Sequence, residues 1–80
     1  MKRVTLNYFA LFKECAGRSS EVIESDAATL GALYAELRAR YRFPLDAERV
    51  RVAVDESYVG FDTPLREGMQ VTFIPPVAGG

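Results

Sequence analysis

The sequence predicts an α+β fold in which a mixed sheet wraps over one main helix. Three observations carry that prediction. Short runs around Val4-Leu6-Tyr8, Val50-Val52-Val54 and Val71-Thr72-Phe73 have the period-2 alternation of half-buried strands. The stretch from Leu30 to Tyr41 repeats its apolar residues at helical spacing over several turns. The chain has 80 residues, 49% of them apolar, which is enough for one layer of helix on sheet and too little for a deep catalytic cleft. That size argues against a self-sufficient enzyme.

Taken in order, a first strand is expected over residues 2–10, with Val4, Leu6 and Tyr8 on one face and Thr5 and Asn7 on the other. Leu11-Phe12-Lys13-Glu14-Cys15-Ala16 reads as a short helical turn stopped by Gly17. Glu21-Val22-Ile23-Glu24 is a short second strand, pairing antiparallel with the first. Thr29 is an N-cap residue for a helix whose apolar positions Leu30, Leu33, Tyr34, Leu37 and Tyr41 fall at i, i+3, i+4, i+7 and i+11. Pro44 marks its end. A third strand carries Val50, Val52 and Val54. Asp55-Glu56-Ser57 turns the chain into a fourth, Tyr58-Val59-Gly60-Phe61. The turn-rich Thr63-Pro64-Leu65-Arg66-Glu67-Gly68 leads to a last strand from Gln70 to Ile74. The order is ββαβββ, and a first and last strand lying parallel side by side would leave the C-terminal end free at one edge of the domain.

Strand parity adds a sharper expectation. If Val4, Leu6 and Tyr8 face the helix, Phe9 falls on the outward face; if Val71 and Phe73 face inward, Ile74 points out; if Val59 and Phe61 face inward, Tyr58 points out. Single exposed hydrophobes are ordinary. A cluster of them close to the C-terminal end would mark a partner-binding patch.

Composition excludes several function classes. The formal charge is −1 and the cations are scattered, apart from Arg38, Arg40 and Arg42 at one helix end, where they complement the carbonyl end of the helix dipole. No basic stripe points to nucleic acid. The chain has no histidine and one cysteine, so metal sites built on His or paired Cys, internal disulfides, and Cys–His or Ser–His nucleophile systems are absent. No metal is expected. Cys15 is expected to pack as a small hydrophobe beside the helical turn. No stretch reaches the roughly 18 continuous apolar residues of a membrane span, and Met1-Lys2-Arg3 leads into a strand pattern instead of a signal peptide, so a cytoplasmic protein without membrane contact is expected.

The chain finishes on a strand-like Val71-Thr72-Phe73-Ile74, a stiff Pro75-Pro76-Val77-Ala78 spacer, and Gly79-Gly80. This divides it into a folded domain, residues 1–76, and a flexible C-terminal tail, residues 77–80. With no Cβ, Gly79 and Gly80 can thread a channel that a larger residue would block, and they leave the terminal carboxyl carbon open to attack. A carboxylate is a poor electrophile. Its obvious use is activation with ATP to an acyl-adenylate, then attack by a sulfur donor or an amine. Taken alone, the pair also fits a frayed end or a cloning scar.

Leu6-Asn7-Tyr8-Phe9-Ala10, Val59-Gly60-Phe61-Asp62, Pro64-Leu65 with Gly68, and above all Phe73-Ile74-Pro75-Pro76-Val77-Ala78-Gly79-Gly80 resemble the small subunit of molybdopterin synthase, the MoaD family, over essentially the whole chain. The resemblance implies a ubiquitin-like β-grasp fold and a sulfur carrier. It implies that Gly80 is adenylated by an E1-like, MoeB-like enzyme with ATP and converted to a thiocarboxylate. The tail would then enter the active site of a large, MoaE-like subunit and donate sulfur to cyclic pyranopterin monophosphate in molybdenum cofactor biosynthesis. In that picture Gly79 keeps the channel passable, and Phe9, Tyr58, Ile74, Pro75, Pro76 and Val77 face the partner. No cofactor is bound by this chain itself. The acid–base residues lie on the partner, in a heterotetrameric assembly. The alternatives are a ubiquitin-like modifier joined to lysine amines, a carrier serving thiamin synthesis or tRNA thiolation, and a plain interaction domain with an idle tail. The stiff Pro75-Pro76 arm favours delivery into one fixed channel, because less entropy is lost when the tail is immobilised.

Overall fold

A computed structural model of the chain describes residues 1–76; the expectations placed on Val77, Gly79 and Gly80 lie outside the described residues. Five strands and two helices follow in the order β1 (Lys2–Tyr8), α1 (Leu11–Ala16), β2 (Ser20–Ser25), α2 (Leu30–Tyr41), β3 (Arg51–Val54), β4 (Ser57–Val59) and β5 (Gln70–Ile74), with a 3-10 turn at Ala47–Arg49 before β3. The strands form one mixed sheet in the order β2-β1-β5-β3-β4. β1 and β5 lie parallel at its centre, with Leu6 opposite Val71 and Tyr8 opposite Phe73, and the other pairs are antiparallel. The expected topology is therefore the observed one.

The α2 helix packs on one face of this sheet. Thr29 Oγ1 accepts a hydrogen bond from the Ala32 N–H at 3.2 Å, satisfying one of the donors left open at a helix start. Leu30, Leu33, Tyr34 and Leu37 are buried against Val4, Leu6, Val52, Val71 and Phe73 from the inner sides of the strands, in one continuous core. Aromatic rings fill the end of the core near α1. Phe12 meets Phe43 edge to face at 4.8 Å, and Tyr34 lies between Phe43 and Phe73 while its hydroxyl donates to the Leu45 carbonyl at 2.6 Å. At the helix start, Gly31 donates its N–H to the Phe61 carbonyl at 2.8 Å, and a Cβ there would stand 3.2 Å from the same oxygen. Glycine is what permits that approach.

Several elements end earlier than spacing predicts. β1 stops at Tyr8, because Ala10 adopts φ 50° and ψ −122° and turns the chain into α1. Phe9 thus sits one residue beyond the strand. Val50 is buried ahead of β3, and Phe61 packs on Tyr34 after β4 has ended at Val59. The α2 helix closes at Arg42, which takes a left-handed conformation two residues before Pro44. Arg38 does more than complement the dipole: its Nε donates to the Phe43 carbonyl at 3.2 Å, and an Nη pairs with Asp46 at 3.1 Å, tying the exit loop back to the helix. The expectation for Cys15 fails. On α1 the buried positions are Phe12 and Ala16, four apart, and Cys15 between them faces solvent. Among the described residues no helix is long and apolar enough to cross a membrane.

Candidate functional site

The helix covers one face of the sheet and leaves the other open. The pairing register sets a row across that outer face, Ser20, Asn7, Thr72, Ala53 and Tyr58, each opposite the next on the neighbouring strand. Ile74 stands one pleat further along β5, opposite Arg51 on β3. Phe9, one residue past the Tyr8–Phe73 pair, comes alongside Ile74, and both line a depression with Asn7, Ala53, Tyr58 and Thr72. The structure thus brings together the three apolar side chains that parity placed outward. Phe9 is 56% exposed and Tyr58 64% exposed, while Ile74 is half-buried between them.

Each is held by its local sequence. The positive φ of Ala10 and the Phe12 N–H donating to the Phe9 carbonyl at 3.0 Å fold the chain back after β1, so that Tyr8 enters the core and Phe9 leaves it. Tyr58 follows a tight turn in which Asp55 and Glu56 both adopt positive φ, 50° and 72°, which matches the twist of the β3–β4 hairpin. Ala53 makes the depression possible: a methyl group between Thr72 and Tyr58 leaves a hollow that a larger residue would fill, and its neighbours bury it to 7% exposure.

The hollow continues toward the C-terminal end. Tyr58 and Ile74 also line a second concavity with Arg49, Arg51, Pro75 and Pro76. Pro75 is half-buried and Pro76 exposed. The two depressions therefore share Tyr58 and Ile74 and together reach from Phe9 to the last described residue. Arg49 and Arg51 are the cations beside them, and the Arg51 guanidinium carbon lies 5.7 Å from the centre of the Tyr58 ring. Residue-by-residue reading did not single out Arg51, Ala53, Thr72 or Val22, the last 61% exposed on the same face. Parity on β2 carries the signal for Val22, since Ile23 beside it is buried; the roles of Ala53 and Arg51 need the cross-strand register.

The titratable groups perturbed by packing lie on the helix side. Burial pushes the Tyr8 hydroxyl up, helped by its bond to Glu21; burial also raises Tyr34, and burial followed by the Glu21 bond raises Tyr41. The outer face instead carries exposed apolar side chains on a sheet, two arginines at the rim, and a proline arm leading away.

A mixed sheet over one main helix, with parallel first and last strands at its centre, defines a ubiquitin-like β-grasp domain. The ThiS family model matches residues 6–80, and the chain belongs to that family. Among curated proteins it is similar to the molybdopterin synthase sulfur carrier subunit of Escherichia coli, 34% identical over an alignment of 76 residues, with 91% of this chain and 94% of the relative covered. Among solved structures it is similar to the chain assigned as molybdopterin converting factor subunit 1 of Pyrococcus furiosus, with TM-score 0.80, 32% identity, and coverage of 96% of this chain and all of the other. Its fold also matches a chain in the complex of subunits 1 and 2 of the molybdopterin-converting factor of Helicobacter pylori, with TM-score 0.67, 24% identity, and coverage of 98% and 99%.

Proposed function

We propose that this chain is the sulfur-carrier small subunit of a molybdopterin synthase. The observation that carries the reading is the continuity of the outer face with the Pro75-Pro76 arm: the anchors Phe9, Tyr58 and Ile74 dock a large subunit while the arm aims Val77, Ala78, Gly79 and Gly80 into its active site. The kinship with molybdopterin synthase sulfur carriers supports it.

The chemistry follows from a terminal carboxylate. An E1-like adenylating enzyme binds ATP, the Gly80 carboxylate attacks the α-phosphorus, and pyrophosphate leaves. A sulfide-level nucleophile then attacks the acyl carbon, the bond to AMP breaks, and a thiocarboxylate remains. Sulfur is softer and more nucleophilic than the oxygen it replaces, so the loaded tail attacks a carbon of cyclic pyranopterin monophosphate through sulfur. An oxygen substituent leaves that carbon, and water cleaves the acyl–sulfur bond to return the carboxylate. Gly79 gives the tail its narrow profile. The acid–base groups belong to the large subunit, and the cycle runs in the cytoplasm, where ATP is available. Reconstitution tests this. A thiocarboxylated chain mixed with the large subunit and cyclic pyranopterin monophosphate should form molybdopterin, and a chain lacking Gly80 should form none. A loaded chain that binds the large subunit and leaves the pterin unchanged would overturn the assignment.

A further inference from the structure

Arg51 occupies an unusual place on the outer face. Arg3, at the far end of that face, has Glu24 opposite it on β2. Arg51 instead stands opposite Ile74, at the root of the arm, with one side of its guanidinium over the Tyr58 ring. Among the described residues no carboxylate or carbonyl pairs with it. Arg49 lines the same concavity, so the positive charge at the arm's root is doubled, with Glu48 the acid among the lining residues. A guanidinium within cation–π distance of an exposed ring keeps its N–H donors available to whatever covers the face.

We infer that the partner surface closing over Phe9, Tyr58 and Ile74 presents a carboxylate to Arg51 at the mouth of the channel that accepts the arm, and that Arg51 is a specificity-determining residue for docking. The inference rests on the proposed function, which supplies the partner. Closing the face over Tyr58 removes water from the guanidinium beside it, and a charge desolvated without a counter-charge is costly, so the partner supplies one. A carboxylate suits the fork geometry, because two parallel N–H···O bonds fix orientation as well as proximity. The pair would set the register of the arm: Arg51 is opposite Ile74, and Pro75 follows at once. A neutral or basic partner surface of the same shape would be rejected, so carriers sharing this fold could be sorted at this position.

The test is affinity for the cognate molybdopterin synthase large subunit, measured at about 50 mM and about 150 mM salt. Arg51→Glu should weaken binding about tenfold or more at the lower salt, mainly through slower association, and the deficit should shrink at the higher salt. Arg51→Lys keeps the charge and loses the fork; it should still weaken binding by about threefold, with little change in the salt dependence. A charge reversal of the facing acid in the large subunit should restore binding to Arg51→Glu. Thermal unfolding of each variant, unchanged for an exposed rim residue, separates docking from folding. If Phe9→Ala weakens the complex and both Arg51 variants bind normally, the carboxylate is absent and this inference fails while the docking face stands. If Phe9→Ala also binds normally, or the large subunit does not bind at all, the proposed function fails with it.

Discussion

Tyr8 and Phe9 are adjacent in sequence and opposite in consequence. Tyr8 is buried among Phe43 and Tyr41, and Phe9 stands in solvent beside Ile74. Alternation made that division legible before any coordinates, as it did for Ile74 and Tyr58. It predicts a clean separation of effects. Phe73→Ala should destabilise the fold by about 3–5 kcal/mol through the cavity it leaves among Phe12, Tyr34 and Val52. Phe9→Ala should leave urea unfolding almost unchanged and weaken partner binding by tens of fold, the usual cost of an anchor at an interface centre. Easy unfolding with normal binding in Phe9→Ala would mean that its exposed position has been misjudged. Other residues were not legible. Cys15 lies between Phe12 and Ala16 on a helix too short for periodicity to resolve a face. Gly31 is required by a carbonyl that comes from residue 61. Gly31→Ala should therefore destabilise by about 1–3 kcal/mol despite alanine's better helix propensity, because the loop carrying Phe61 is pinned by Leu30 N–H to Thr63 O at 3.0 Å and cannot easily withdraw. Chemical denaturation of the variant measures the balance.

Among the elements, the two centre strands and α2 were legible because each has a strong period and a clear start, whereas the ends of β1, β4 and α2 were not. The positive φ of Ala10 and the left-handed Arg42 have no compositional mark, since alanine and arginine rarely adopt positive φ. The junction of β1, β2 and α2 shows what holds the elements in register. Tyr8 and Tyr41 each donate a hydroxyl to the same Glu21 oxygen at 2.6 Å, while Arg18 reaches the other oxygen at 3.4 Å. Both phenols bind their protons more tightly folded than unfolded. A raised folded value means that this contribution is fully present below the unfolded tyrosine pKa of about 10 and is lost as pH rises above it. Stability should accordingly decline with pH in the alkaline range, and the decline should be shallower in Tyr41→Phe. An identical alkaline slope in that variant would show that the shared carboxylate does not couple to folding.

At the scale of the whole molecule, the parallel pairing of β1 with β5 decides the function's geometry. It puts the last strand in the middle of the sheet, so the arm leaves from a strand paired on both sides, and it brings Phe9 just past the end of β1 beside Ile74 at the end of β5. The order ββαβββ, the helix-on-sheet layering and the apolar outward cluster could all be read from spacing and parity. The cross-strand register could not, and with it the hollow over Ala53 and the place of Arg51 beside Ile74. The central claim is that Gly80 carries sulfur. Its most direct test is the intact mass of the chain after incubation with its cognate adenylating enzyme, ATP and a sulfur donor. The mass should rise by the difference between one sulfur and one oxygen atom, and should stay unchanged when Gly80 is deleted; an unchanged mass for the full chain with an enzyme shown to be competent would contradict the account.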